Sequence, residues 1–315
     1  MRILVTDGLE AEAIAALRKH HEVTVAEPDP KQLLEQIPGY HALIVRSRTK
    51  VTKEVLARAD SLKVVGRAGV GVDNIDVAEA TARGVAVVNA PTASTVSVAE
   101  LAIGHMISLL RHLADADRSV KEGKWEKKKF EGHELFGKVL GLIGSGRIGA
   151  EVAKRAAAFG MRAIAYDPYV KPEMARESGI ELLDLTSVLQ DADVVSIHAV
   201  LTPETRGMIG AKELSMMKRT AVLVNCARGG IVQEAALAEA LRAGTIAGAA
   251  LDVFEKEPPA ESPLLAAPNV VFTPHLGAST HEAQARAGAI IADQVEKALS
   301  GRPPDFLVNR EVSVR

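Results

Sequence analysis

The chain has 315 residues and one cysteine, Cys226. No disulfide can form within it, so a reducing compartment, the cytoplasm, is the expected setting. Aromatic residues make up 3% of the chain, with a single Trp. The core must therefore be aliphatic, built from Val, Ile, Leu and Ala, which suits buried parallel strands. Charge of one sign is also lacking: the formal net charge is -2, which offers nothing to draw a nucleic acid or a membrane surface. No apolar run reaches the length of a membrane span. The chain opens at once on Ile3-Leu4-Val5, without the basic and apolar stretches of a secretory signal. Among nine histidines there is no HExxH, no CxxC and no cluster at ligand spacing, so no metal is predicted.

What is present is a rhythm. Short β-branched runs alternate with Ala/Leu/Glu/Lys-rich stretches, the pattern of parallel strands joined by helices. Strands are predicted over 3–5, 23–25, 42–45, 63–65 and 85–88, with helices such as 11–19 and 53–58 between them. The rhythm restarts with strands at 139–143, 162–166, 193–197, 221–225, 247–250 and 270–272. Two doubly wound parallel-sheet domains follow, as the length alone suggests. One long helical stretch, 94–122, carries Val98, Leu101, Ile103, Ile107, Leu110 and Leu113 at helical spacing. A last helix, 281–299, closes the chain and is free to return to the first domain.

Gly144-Ser145-Gly146-Arg147-Ile148-Gly149 is a G-x-G-x-x-G between a predicted strand and a predicted helix. Asp167 follows at the end of the next strand, near the roughly 20-residue offset of a ribose-binding acid. Gly144 permits the tight turn, Gly146 lets backbone approach a pyrophosphate, and Gly149 lets the helix lie close to the strand. The anion is expected at the helix N-terminus, where free N–H groups and the dipole favour negative charge. A carboxylate at 167 accepts bonds from ribose hydroxyls and repels a 2′-phosphate, so NAD is predicted over NADP.

Three further residues lie just beyond predicted strands of the second domain, the edge where such sheets bind ligands. Arg228, in Asn225-Cys226-Ala227-Arg228-Gly229-Gly230, offers a planar fork for a carboxylate beside a carbonyl. His275, in Thr273-Pro274-His275-Leu276-Gly277, can take or give a proton near neutral pH. A carboxylate beside it would orient the ring, and spacing leaves Glu255 and Glu257 as equal candidates. His198 sits at a similar strand end and is read as lining the cofactor. Cys226 is read as a small residue beneath it, because no paired base makes it a nucleophile.

The chain resembles the D-2-hydroxyacid dehydrogenase family over nearly its full length. The matching segments are 46–49, 66–76 (Gly-Arg-Ala-Gly-Val-Gly-Val-Asp-Asn-Ile-Asp), the glycine motif, 225–230, 251–254 and 273–278, in order. The resemblance implies a Rossmann NAD-binding domain over 92–284, inserted in a flavodoxin-like substrate domain formed by 1–91 and 285–315. It implies hydride transfer at C2 of a small 2-hydroxy acid, with Arg228, Glu257 and His275 as the catalytic trio. Glu257 is favoured over Glu255 because it precedes the proline. The resemblance places Arg147, Ile148, Asp167, Cys226, Ala227, Asp252, His275 and Gly277 around the cofactor, and Arg46, Ser47, Gly69 and Val70 on the substrate.

Segments 123–135 and 159–168 are most similar to members whose substrate bears a phosphate, which makes Arg46 and the run Lys127–Lys129 candidate phosphate partners. A solvated surface is the alternative for that run. The family pairs through the segment after Pro91, so a homodimer or homotetramer is expected. Some such members carry a C-terminal serine-binding regulatory domain. The chain stops at Arg315, as a short form or a cut one, so regulation through such a domain is not expected. Two readings stay open beside the phosphorylated substrate: a hydroxypyruvate or glyoxylate reductase, and an NAD(H)-sensing corepressor-like protein.

Overall fold

A computed structural model describes residues 1–313 of the chain, which falls into two compact units. Unit 1 joins Met1–Ser94 to the chain from Ala278 onward, and unit 2 is Thr95–Gly277. The final two residues of the expected substrate domain lie outside the described residues.

Unit 1 holds five parallel strands: β1 (Arg2–Val5), β2 (Glu22–Val25), β3 (Ala42–Val45), β4 (Val64–Arg67) and β5 (Ala86–Asn89). Their order, β2-β1-β3-β4-β5, is that of a flavodoxin-like sheet. Alternation decides which side each residue covers. Ile3, Val5, Ile44, Val64 and Val88 pack with Ala13, Leu17, Ile291 and Val295. Leu4, Leu43, Val45, Val65 and Val87 pack on the other face with Leu33, Val55, Leu56 and Ala80. The helix His281–Leu299, capped by the Thr280 hydroxyl on the Ala283 N–H, does return to this sheet. Gly66 makes room for it: a Cβ there would lie 2.8 Å from Val295 Cγ2.

Unit 2 holds seven parallel strands: β6 (Val139–Ile143), β7 (Arg162–Tyr166), β8 (Ile180–Leu182), β9 (Val194–Ile197), β10 (Val222–Asn225), β11 (Gly248–Leu251) and β12 (Val270–Phe272). Their order is β12-β11-β10-β9-β6-β7-β8, so the winding reverses between β6 and β9, the switch point of a Rossmann sheet. One face (Leu140, Leu142, Val222, Val224) packs on Ala102, Met106, Val152 and Ala156. The other (Ile143, Ile197, Leu223, Leu251) packs on Leu189, Leu214, Leu237 and Leu241. The short edge strand β8 carries no strong β-branched run and is absent from the sequence reading.

The stretch 94–122 is a correction. It is not one helix but two, Thr95–Leu110 and Leu113–Lys121, bent by 62°. The break falls at His112, whose φ of 52° is left-handed and cannot continue a right-handed helix. The first segment is largely buried, whereas the second exposes Leu113 and Val120. Among the described residues no single helix is long and apolar enough to cross a membrane.

Candidate active site

β10, β11 and β12 are neighbours in unit 2, so the loops leaving their carboxyl ends emerge side by side. Arg228 stands in the turn after β10. Asn225, 1% exposed, locks that turn: its Oδ1 accepts the Ala227 N–H at 3.0 Å and its Nδ2 donates to the Arg228 carbonyl at 3.0 Å. Gly229 is obligatory here, because a Cβ would lie 1.7 Å from the Phe254 carbonyl oxygen. The Arg228 guanidinium donates to its neighbour's carbonyl, Ala227 O, at 2.7 Å.

The loops after β11 and β12 meet in a hydrogen bond between His275 Nδ1 and Glu257 Oε2, 2.8 Å apart. Burial works against ionisation of Glu257. The bond and charge of His275, the Phe254 N–H and the Arg228 guanidinium outweigh it and hold the carboxyl below its usual range. Glu255 is committed elsewhere: its carboxylate accepts the Glu234 N–H at 3.0 Å and its own N–H donates back to Glu234 at 2.6 Å. Geometry thus separates two acids that spacing could not.

Among the described residues, His275 is one of three non-glycine residues with positive φ, at 54°. The conformation is held by Asp252, which sequence reasoning placed on the cofactor. Asp252 is 1% exposed and collects three successive amides. Its carbonyl accepts the His275 N–H at 2.9 Å, its Oδ1 the Leu276 N–H at 2.7 Å and its Oδ2 the Gly277 N–H at 2.8 Å. Asp252 and Gly277, both candidate cofactor contacts, are in this structure bonded to each other.

At the switch point, the helix Arg147–Ala158 starts at Gly146 with no side-chain cap. Gly144 has φ 91°, and a Cβ there would meet Ala199 N at 2.8 Å; one on Gly149 would lie 2.4 Å from Gly144 O. Gly146 differs, for its Cβ would meet nothing within 4 Å. The loop is tight against protein on two sides and open on the third, as a pyrophosphate cradle requires. Arg147 is exposed and Ile148 half-buried at this helix start. Asp167 Oδ2 accepts the Ser145 N–H at 2.7 Å, and its Oδ1 accepts those of Tyr169 and Val170 at 2.9 and 3.1 Å. The acid therefore clamps the glycine loop.

Burial lowers His198 to about 4, so the ring is neutral at physiological pH. Its Nε2 pairs with Ser196 Oγ at 2.9 Å, while its buried Nδ1 has no partner among the described residues. Burial, and then the charge of Asp252, push the Cys226 thiol up. An uncapped helix start, an open glycine and an orphaned ring nitrogen together fit a dinucleotide.

In unit 1, the Arg46 side chain is engaged by an acid. Its Nη2 grips Glu10 at 2.8 and 2.9 Å, and its N–H donates to Asp7 at 2.7 Å. Ser47 is exposed. Of the two expected backbone donors, the Gly69 N–H is taken by the Arg67 carbonyl at 2.7 Å, which leaves that of Val70. Arg67, which ends β4, is not among the residues singled out from the sequence. Its guanidinium covers Gly69 so closely that a Cβ there would lie 1.4 Å from Nη1. Lys127 stands exposed in unit 2 on the 3₁₀ turn Lys127–Phe130.

Residues 103–277 match the NAD binding domain of the D-isomer specific 2-hydroxyacid dehydrogenases. The chain belongs to that family. Within it, the chain is 52% identical to the D-3-phosphoglycerate dehydrogenase of Methanocaldococcus jannaschii over 98% of its own length. It spans only 59% of that relative's length. Among solved structures it is similar to a glyoxylate reductase from Paecilomyes thermophila, at 32% identity and TM-score 0.90, covering 98% of each chain. It is also similar to an NAD-dependent formate dehydrogenase from Staphylococcus aureus in complex with NAD. That match has 31% identity and TM-score 0.85, covering 96% of this chain and 97% of the other.

Proposed function

We propose that the chain is an NAD-dependent dehydrogenase that interconverts D-3-phosphoglycerate and 3-phosphohydroxypyruvate, the first step of serine biosynthesis. The observation that carries the chemistry is the His275–Glu257 bond at 2.8 Å beside Arg228. The likeness to curated phosphoglycerate dehydrogenases supports the substrate.

Bound NAD supplies the acceptor for the hydride leaving C2 of the substrate. The guanidinium of Arg228 binds the substrate carboxylate and polarises the oxygen on C2. Glu257 accepts the Nδ1–H of His275, which fixes the neutral tautomer with its lone pair on Nε2. Nε2 then takes the hydroxyl proton as C2 is oxidised and returns it in the reverse direction. The negative charge of Glu257 stabilises the imidazolium so formed.

In unit 1 we assign substrate binding to the Val70 N–H, Ser47 and Arg67, with Arg46 held by Glu10 and supporting the loop. Lys127 remains a candidate for the phosphate. We place Arg147, Ile148, His198, Ala227 and Gly277 around the dinucleotide with the glycine loop and Asp167. The exposed Leu113, Val120, Trp125 and Phe136 of unit 2 support assembly into a homodimer or homotetramer. The lone buried thiol supports a cytoplasmic setting.

The test is steady-state oxidation of NADH with phosphohydroxypyruvate, hydroxypyruvate and glyoxylate run side by side. The reading expects kcat/KM to favour the phosphorylated acid by about tenfold or more, some 1.4 kcal/mol of differential binding. Preference for the unphosphorylated acids would move the function to a general 2-keto acid reductase, in keeping with the glyoxylate reductase likeness. No turnover with intact NADH binding would favour a sensor.

A further inference from the structure

We infer that His105, inside the helix Thr95–Leu110, is a positioning residue for His275, acting through the Thr273 hydroxyl and the Asp252 carboxylate. The inference rests on the reading of His275 as the proton carrier. His105 is 3% exposed and touches none of the trio through any described hydrogen bond, and the mechanism above has no use for it. A buried imidazole on a largely apolar helix face is costly unless its polar atoms are used.

The direction of the hydrogen bonds follows from the chemistry. Asp252 Oδ1 lies 2.5 Å from Thr273 Oγ1, and a carboxylate can only accept, so Thr273 gives its one proton there. His105 Nε2 lies 3.0 Å from the same oxygen, which is then left as acceptor. The imidazole must carry its proton on Nε2. Burial lowers the pKa of His105 against the pull of Asp252, so the neutral ring suffices for this role. A chain of two bonds therefore runs from the helix to the carboxylate that collects the amides of Leu276 and Gly277. It anchors Thr273 two residues before His275, while those amides anchor the two residues after it. The left-handed backbone of His275 is bracketed on both sides by Asp252, and His105 braces the bracket from behind.

Three variants separate this role from packing. His105→Leu removes the donor; His105→Gln keeps one near the Nε2 position; Thr273→Val removes the hydroxyl at constant shape. Hydrogen exchange is followed on the cofactor-free protein, with turnover on the loaded one. In His105→Leu and Thr273→Val the amides of Leu276 and Gly277 should exchange about tenfold faster or more. The β6 amides should be unchanged, and His105→Gln should stay near wild type. Turnover should fall about tenfold in kcat with KM within about twofold, and recover in His105→Gln.

Unchanged exchange at 276 and 277 in both donor-deleting variants would overturn the inference. So would equal loss across β6 and in His105→Gln, which marks a packing role. Exchange decides the relay without any substrate, so a protein that shows the expected exchange but turns over no 2-keto acid would leave the brace standing and remove the enzymatic reading.

Discussion

His275 and Glu257 face each other across two loops, with Nδ1 and Oε2 2.8 Å apart and both side chains between one third and one half exposed. The acid is held ionised by this bond and by Arg228. Its folded pKa is lowered, so its contribution is present above the unfolded value near 4.5 and fades as pH falls through the depressed one. Glu257→Gln should therefore remove an acid-side limb of stability and lower kcat by about ten- to a hundredfold at neutral pH. A pH series of thermal melts with steady-state rates checks both; a variant with wild-type kcat would unseat Glu257 as the orienting acid.

Asp167 holds the glycine loop through the Ser145 N–H, and the proposed function gives it the ribose as well. Asp167→Ala is expected to relax discrimination between NAD and NADP and also to weaken NAD itself, by about tenfold in Kd, because the Ser145 N–H loses its acceptor. Fluorescence titration with both reduced cofactors measures the two effects. Discrimination left intact would count against the ribose role.

Gly146 and Gly229 are required for different reasons. A Cβ at Gly146 meets open space, so Gly146→Ala should keep its melting temperature and lose NAD affinity. A Cβ at Gly229 meets the Phe254 carbonyl, so Gly229→Ala should cost about 2–4 kcal/mol of stability and displace Arg228. Calorimetry and cofactor titration on the pair would show the two losses separated.

The Cys226 thiol is buried and pushed up by that burial and by Asp252. Thiol reagents should modify the folded protein far more slowly than the unfolded one, and Cys226→Ala should keep its turnover within about twofold. Rapid inactivation of native protein by an alkylating agent would contradict this.

Much of the architecture was legible in the sequence because the information is local. β3, β6, β7 and β12 have the bounds expected from the sequence. The glycine motif is legible for the same reason, since strand, turn and helix adjoin in sequence. What was not legible depends on partners distant in the chain. Glu255 and Glu257 differ only in which of them is occupied by Glu234. Arg46 reads as a free cation until Glu10 is folded against it. The break at His112 has no proline or glycine to announce it, and Asn225 and Asp252 look like ordinary strand-end polar residues until their acceptors are seen collecting a turn each.

The helix His281–Leu299 covers one face of a sheet whose strands all lie within the first ninety residues. During synthesis that sheet emerges early and keeps an apolar face, with Ile3, Ile44, Val64 and Val88, waiting for a segment some two hundred residues away. Unit 2 is continuous in the chain and can bury its own core in the interval. The first sheet made is thus the last to receive its full cover, after every strand of the second has been translated.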